Sequence, residues 1–135
     1  MADRCAIENA LGNFALGYDQ ADESRMAASF TEDASLTLRI ADGDLIGPFE
    51  GLAAVMKLFT DSLAEQSDQR RHVTSNIVVE DESDDSATVW SYLTLVSVKD
   101  NALNVISSGV YRDTVVREGA NWKIKTRHIA LDLPY

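Results

Sequence analysis

Three observations predict an α+β fold: a curved antiparallel or mixed sheet wrapped around three helices of the N-terminal half. Helical apolar spacing recurs through the first 65 residues, interrupted by one short hairpin. From residue 70 onward four β-rich segments follow, divided by clusters of turn formers. The helices largely precede the sheet, so they pack on it as one layer, and a strongly curved sheet leaves a cone-shaped cavity beneath them. With 135 residues, 45% of them apolar, the chain is read as one domain, 1–135, able to bury its own core.

Taken in order, Ile7, Leu11, Phe14 and Tyr18 stand at spacings of 4, 3 and 4, one face of a helix ending near residue 18. Asp22 reads as the N-cap of a short helix carrying Met26, Ala27 and Phe30. "SLTLRI" (35–40) alternates as a strand does, and "ADGD" (41–44) supplies an Asp-Gly turn into a return strand, "LIG" (45–47). After "GPFEG" comes a third helix, whose stripe is Leu52, Val55, Met56, Phe59 and Leu63. The β segments are 71–80, 86–98, 102–115 and 121–132, separated by "EDESDD", "KDNA" and "REGA". The acidic "EDESDD" run reads as a solvated hairpin tip that discourages pairing with foreign strands.

Charge and motif content narrow the function. The chain carries 12 Lys+Arg against 22 Asp+Glu, a net charge of −10, which repels phosphate backbones and anionic bilayers. No nucleic-acid or membrane partner is expected. Cys5 is the single cysteine, so no internal disulfide forms. The N-terminus lacks a signal-peptide apolar run and nothing approaches a membrane span, so the expected location is cytoplasmic. Two histidines, His72 and His128, without a Cys cluster or H-x-x-x-H spacing predict no metal site. Dinucleotide, phosphate-loop and G-x-S-x-G motifs are missing, and no cofactor is expected.

The chemistry-bearing candidates are Asp19 and His72. Asp19 follows Tyr18 and lies about 100° round the helix from it, at the edge of the buried stripe. His72 opens the first long strand. In an α+β cone both positions can face the cavity. A carboxylate bonded to one imidazole nitrogen fixes the tautomer and stabilises the imidazolium formed when the other nitrogen takes a proton. Tyr18 could add an O–H that polarises a substrate oxygen. Spacing alone leaves the ordinary alternative open, a helix-end carboxylate and a hydrogen-bonded strand histidine. The expected cavity lining is Phe14, Leu16, Leu36, Met56, Phe59, Leu63, Val78 and Ser107, positions that plain core residues also occupy. Arg127 and His128 are adjacent, so a regular strand sends at most one of them inward.

The string "ALGYDQADESRMAASFTEDASL" (15–36), with "GPFEG", "RRHVTSN" and "NWKIKTRHIALD", resembles the SnoaL-like, cystatin-like α+β barrel superfamily over nearly the whole chain. The nearest look is to the branch holding scytalone dehydratase, hexachlorocyclohexane dehydrochlorinase and bile acid 7α-dehydratase. The resemblance implies that Asp19 and His72 form a general-base dyad. It implies a catalytic role for Tyr18, from the shared Tyr-Asp dipeptide, and places Arg127 near the dyad by its offset from Trp122.

Departures bear on the substrate. The second histidine of scytalone dehydratase has no counterpart in "VWSYLTLVS", where Tyr92 is the comparable polar group, and Ser107 stands near its asparagine. Phe14 and Leu38 replace the tyrosine and base of ketosteroid isomerase, which argues against that isomerisation. The leading expectation is thus a cofactor-independent, dehydratase-like lyase acting on a small, largely apolar cyclic molecule. The alternative is a non-catalytic ligand-binding or assembly subunit, as in ring-hydroxylating dioxygenase small subunits. Exposed Val and Leu on strands 86–98 and 102–115 predict a homo-oligomer, dimer or trimer.

Overall fold

The computed structural model describes residues 2–135. Three helices, α1 (Arg4–Asp19), α2 (Glu23–Ala28) and α3 (Leu52–Glu65), pack on one six-stranded sheet. Its strands are β1 (Phe30–Ile40), β2 (Ile46–Glu50), β3 (Gln69–Glu80), β4 (Ser86–Lys99), β5 (Ala102–Glu118) and β6 (Asn121–Leu131). They lie in the order β2-β1-β6-β5-β4-β3, with β1 and β6 parallel and every other pair antiparallel. The sheet is mixed, curved and unclosed.

Asp3 caps α1 by accepting from the Ala6 N–H, and the helix buries Ile7, Leu11, Phe14 and Tyr18 along one face. Asp22 caps α2 through the Arg25 N–H. Phe30, expected on that short helix, instead begins β1, because α2 ends at Ala28. Gly17 allows the close crossing of α1 and α2. A Cβ there would lie 2.8 Å from the Met26 backbone nitrogen, so only a residue without one fits. That contact ties down the end of α1, where Tyr18 and Asp19 stand.

The β1–β2 turn falls one residue earlier than the Asp-Gly pair suggests. Ala41 and Asp42 take left-handed φ values of 50° and 59°, and the Gly43 N–H closes the turn on Ile40 O at 2.9 Å. The return strand starts at Ile46 and runs to Glu50, leaving Leu45 exposed.

Bulges decide which side chains face the helices, in β3, in β6 and in β5, where the step from Ser107 to Val105 against Leu95 and Val96 turns Val105 outward. In β3 the pairing steps from Ser75↔Tyr92 to Val78↔Trp90, so β3 advances three residues while β4 advances two. Asn76, at φ 53°, lies in this bulge, and beyond it the inward set changes from His72 and Thr74 to Ile77 and Val79. In β6 the pairing steps from Val115↔Ile124 to Thr114↔Thr126, which makes Lys125 the extra residue. Trp122 and Ile124 therefore share the buried face with Arg127, Ile129 and Leu131. The core lies between this face and the three helices, with Phe14, Phe30 and Phe59 in mutual ring contact at its centre.

Candidate functional site

Asp19 and His72 meet. Asp19 Oδ1 lies 2.6 Å from His72 Nδ1, and Oδ2 accepts the His72 backbone N–H at 2.9 Å. One carboxylate thus grips both ring and backbone of His72, so its orientation is set twice. Gln69 donates through Nε2 to the Asp19 carbonyl at 2.8 Å, stitching the end of α1 to the start of β3. Both side chains are nearly enclosed, 8% exposed for Asp19 and 5% for His72, so water barely screens the pair. With Nδ1 engaged, Nε2 is the ring nitrogen left to act on a ligand, and among the described residues it has no hydrogen-bond partner.

His72 lines a cavity of about 80 Å³. Phe14 and Tyr18 from α1, with Leu58, Phe59 and Ser62 from α3, form its helical side. The sheet supplies Leu38, Leu93, Tyr111, Ile129 and Leu131, and Tyr135 completes the wall from beyond β6. The Tyr18 ring lies 4.6 Å from the imidazole, centroid to centroid, and Phe14 stands edge-on to it at 6.3 Å. Burial raises the Tyr18 phenol from its ordinary value of 10.0 to about 12; Tyr135 adds to the rise, while Arg70 and a hydrogen bond with Ser62 oppose it. At neutral pH Tyr18 is a hydrogen-bond donor, not a phenolate.

Arg127 points inward, but it does not line the cavity. Its Nε and Nη2 donate to the two carboxylate oxygens of Asp113 at 2.8 and 2.9 Å, a fully buried bidentate pair between register partners. The guanidinium packs on the ring faces of Phe14 and Tyr111, 4.7 and 4.3 Å from their centroids. Burial works against its charge, but Asp113 outweighs burial and raises its pKa. The resemblance implies a residue near the dyad, and Arg127 does pack against Phe14, a neighbour of His72. Direct contact with a ligand is not what this placement offers: the arginine braces the rings of the wall. His128 faces the other way, with Nδ1 2.7 Å from Thr37 Oγ1.

Of the eight expected lining residues, Phe14 and Phe59 line the cavity. Leu16 lies on the outer face of α1, 46% exposed, about 200° from Phe14. Leu36 is fully buried core on β1. Met56 and Leu63 pack against the core from α3, outside the cavity. Val78 is turned outward by the Asn76 bulge and is half exposed. Ser107 is inward and buried, but its hydroxyl donates to Leu133 O at 2.7 Å and anchors the segment after β6. Tyr92, on the outer face of β4, is also removed from the cavity.

The residues missed had partial signals. Tyr111 lies four residues beyond Ser107 on the same strand, hence on the same face, and Leu93 is reached by the inward alternation of β4. Tyr135 had none, because only long-range folding brings it to the mouth, where Arg70 packs over its ring at 4.8 Å.

Comparison with known proteins agrees with this architecture. A protein with a cystatin-like fold from Nostoc punctiforme superposes with a TM-score of 0.82 at 26% identity, covering 98% of this chain and 94% of that one. A scytalone dehydratase-like protein from Novosphingobium aromaticivorans gives 0.77 at 25% identity, covering 95% and 83%. A protein of the same organism bearing the name of an aromatic-ring-hydroxylating dioxygenase beta subunit gives 0.81 at 14% identity, covering 97% and 90%; at that identity the likeness is one of fold. No functionally curated protein is matched. The profile of the SnoaL-like domain matches residues 1–128, and the chain belongs to the SnoaL-like family.

Proposed function

We propose that the protein is a cofactor-independent lyase in which Asp19 and His72 act as a general-base unit. The observation that carries this reading is the two-point grip of Asp19 on His72, which leaves Nε2 free beside an enclosed, mostly apolar cavity. His72 Nε2 takes a proton from the carbon next to an electron-withdrawing group. The C–H electron pair becomes the new double bond as the C–O bond of the leaving hydroxyl breaks. The imidazolium returns its proton to that hydroxyl, which departs as water, and the base is regenerated. Asp19 stabilises the transient imidazolium, and Tyr18, protonated at neutral pH, donates to a substrate oxygen.

The lining favours a small ligand with apolar carbon faces, a cyclic one being the reading carried over from the sequence. An engineered cavity of about 150 Å³ accommodates benzene, so the present volume of about 80 Å³ requires a wall to move for a ring to enter. Tyr135, half exposed at the mouth, is the wall residue with least to hold it. A non-catalytic assembly role draws on a different observation, the apolar outer face of the sheet. The two readings are compatible, since the cavity and that face lie on opposite sides of the strands.

The test is a screen of small hydroxylated cyclic carbonyl compounds for elimination, with His72→Ala and Asp19→Asn as controls. Elimination that falls about 10²–10⁴-fold in both variants supports the dyad. Elimination unaffected by His72→Ala, or none from any such compound, sinks the lyase and leaves the assembly role.

A further inference from the structure

We propose that Tyr111 is a hydrogen-bond donor to the ligand's oxygen, built into the sheet side of the cavity, and that it selects neutral oxygens over carboxylates. The inference rests on the cavity being a ligand site, as proposed above.

Tyr111 lines the cavity and is 4% exposed, yet its hydroxyl makes no hydrogen bond to any described residue. Among the described residues, the sealed side-chain polar atoms that lack partners are Gln66 Oε1, Ser91 Oγ and Arg127 Nη1. The Tyr111 oxygen is not among them, so it keeps accessible surface, and the space this residue lines is the cavity. A buried phenol oriented this way is expected to have a partner. None of the described residues supplies one, and a ligand oxygen would complete the pattern.

The setting of the ring fits the role. Arg127 lies 4.3 Å from its centroid and is locked by Asp113, so a fixed cation faces the phenol from outside the cavity. That cation favours charge developing at an oxygen held by Tyr111, while Asp113 cancels its long-range pull. Among the described residues no Lys or Arg lines the cavity, and the arginines packed on its rings, Arg70 and Arg127, are paired with Asp68 and Asp113, so a carboxylate would enter an enclosed space with no unpaired cation to receive it. A carbonyl oxygen needs only the donors present.

Acetone and acetate form a matched pair of probes, nearly equal in shape and different in charge. Carbonyl-labelled acetone bound to the full chain should show a stretching band shifted below that of free acetone. In Tyr111→Phe the shift should disappear and binding weaken about tenfold, while Tyr18→Phe should retain the shift. Acetate should fail to compete. Folding stability of Tyr111→Phe should be unchanged or higher, since the lost hydroxyl had no protein partner. A shifted band that survives in Tyr111→Phe, the absence of any such band in the parent protein at near-saturating acetone, or effective competition by acetate would overturn the assignment. Deuterium uptake into acetone, compared with His72→Ala, reads the base separately. Exchange unaffected by that substitution would count against the lyase and leave the Tyr111 band as an independent result.

Discussion

At the scale of single residues, the cavity sets Tyr18 apart from an exposed tyrosine. Its phenol keeps its proton to about pH 12 in the folded protein, chiefly because burial disfavours the phenolate. The unfolded chain releases that proton near the ordinary value of 10.0. Between these values the folded state binds more protons than the unfolded one, so rising pH favours unfolding. The contribution of Tyr18 is fully present below pH 10 and is lost as pH climbs toward 12. Denaturant unfolding of the parent protein and Tyr18→Phe should therefore show a stability difference that changes against the parent over that interval. A difference independent of pH would mean that the Tyr18 phenol is solvated in the folded protein and is not enclosed by the cavity wall. His72 depends on the same enclosure: two hydrogen bonds to one carboxylate leave its ring little freedom to turn.

At the scale of elements, the bulges in β3 and β6 place the site. Were β6 regular through Lys125, with no bulge, Trp122 and Arg127 would face opposite sides, and either the core or the Arg127–Asp113 pair would be lost. Without the bulge at Asn76, Val78 would share the His72 face and Ile77 would turn outward. Asn tolerates left-handed φ better than most residues, while a β-branched side chain there is strained. Asn76→Gly should be near neutral, whereas Asn76→Val should cost about 1–2 kcal/mol. Equal stability of the two variants would mean that the bulge relaxes. Strand parity is also what the sequence leaves illegible. Alternation identified the strands, helical spacing gave the stripe of α1, and Asp19 and His72 were legible as candidates from their places at element ends. A one-residue insertion breaks strand parity without altering composition, so alternation alone puts Val78 on the face opposite to the one it occupies. Asn76 carried the local hint. Tyr135 and the pairing of Asp113 with Arg127 are products of tertiary register, which no local pattern encodes.

For the whole molecule, the outer side of the sheet raises the question of assembly. Strand register sets Val98 beside Leu103, Val96 beside Val105, and Tyr92 beside Val110, with Val73, Val78 and Trp90 alongside. Leu103 is 70% exposed and Val105 64%, and Tyr92 and Val73 are exposed across the Thr94–Ser108 pair. The chain's net charge of −10 opposes contact between copies in general. On this surface Arg71 and Arg112 are basic, while Asp132 accepts from the Ser108 hydroxyl and Glu80 from Trp90 Nε1. Charges of both signs therefore border the apolar pairs, and a second copy is the partner expected there. Sedimentation velocity of the parent protein should report two or three copies. Paired Leu103→Lys and Val105→Lys substitutions should yield a folded monomer, because both side chains are outward and leave the core untouched. A parent protein that sediments as a monomer would refute the expectation. If the monomeric variant keeps the elimination proposed above, the cavity is complete within one chain; if that activity is lost together with assembly, the outer face contributes to holding the curvature of the sheet.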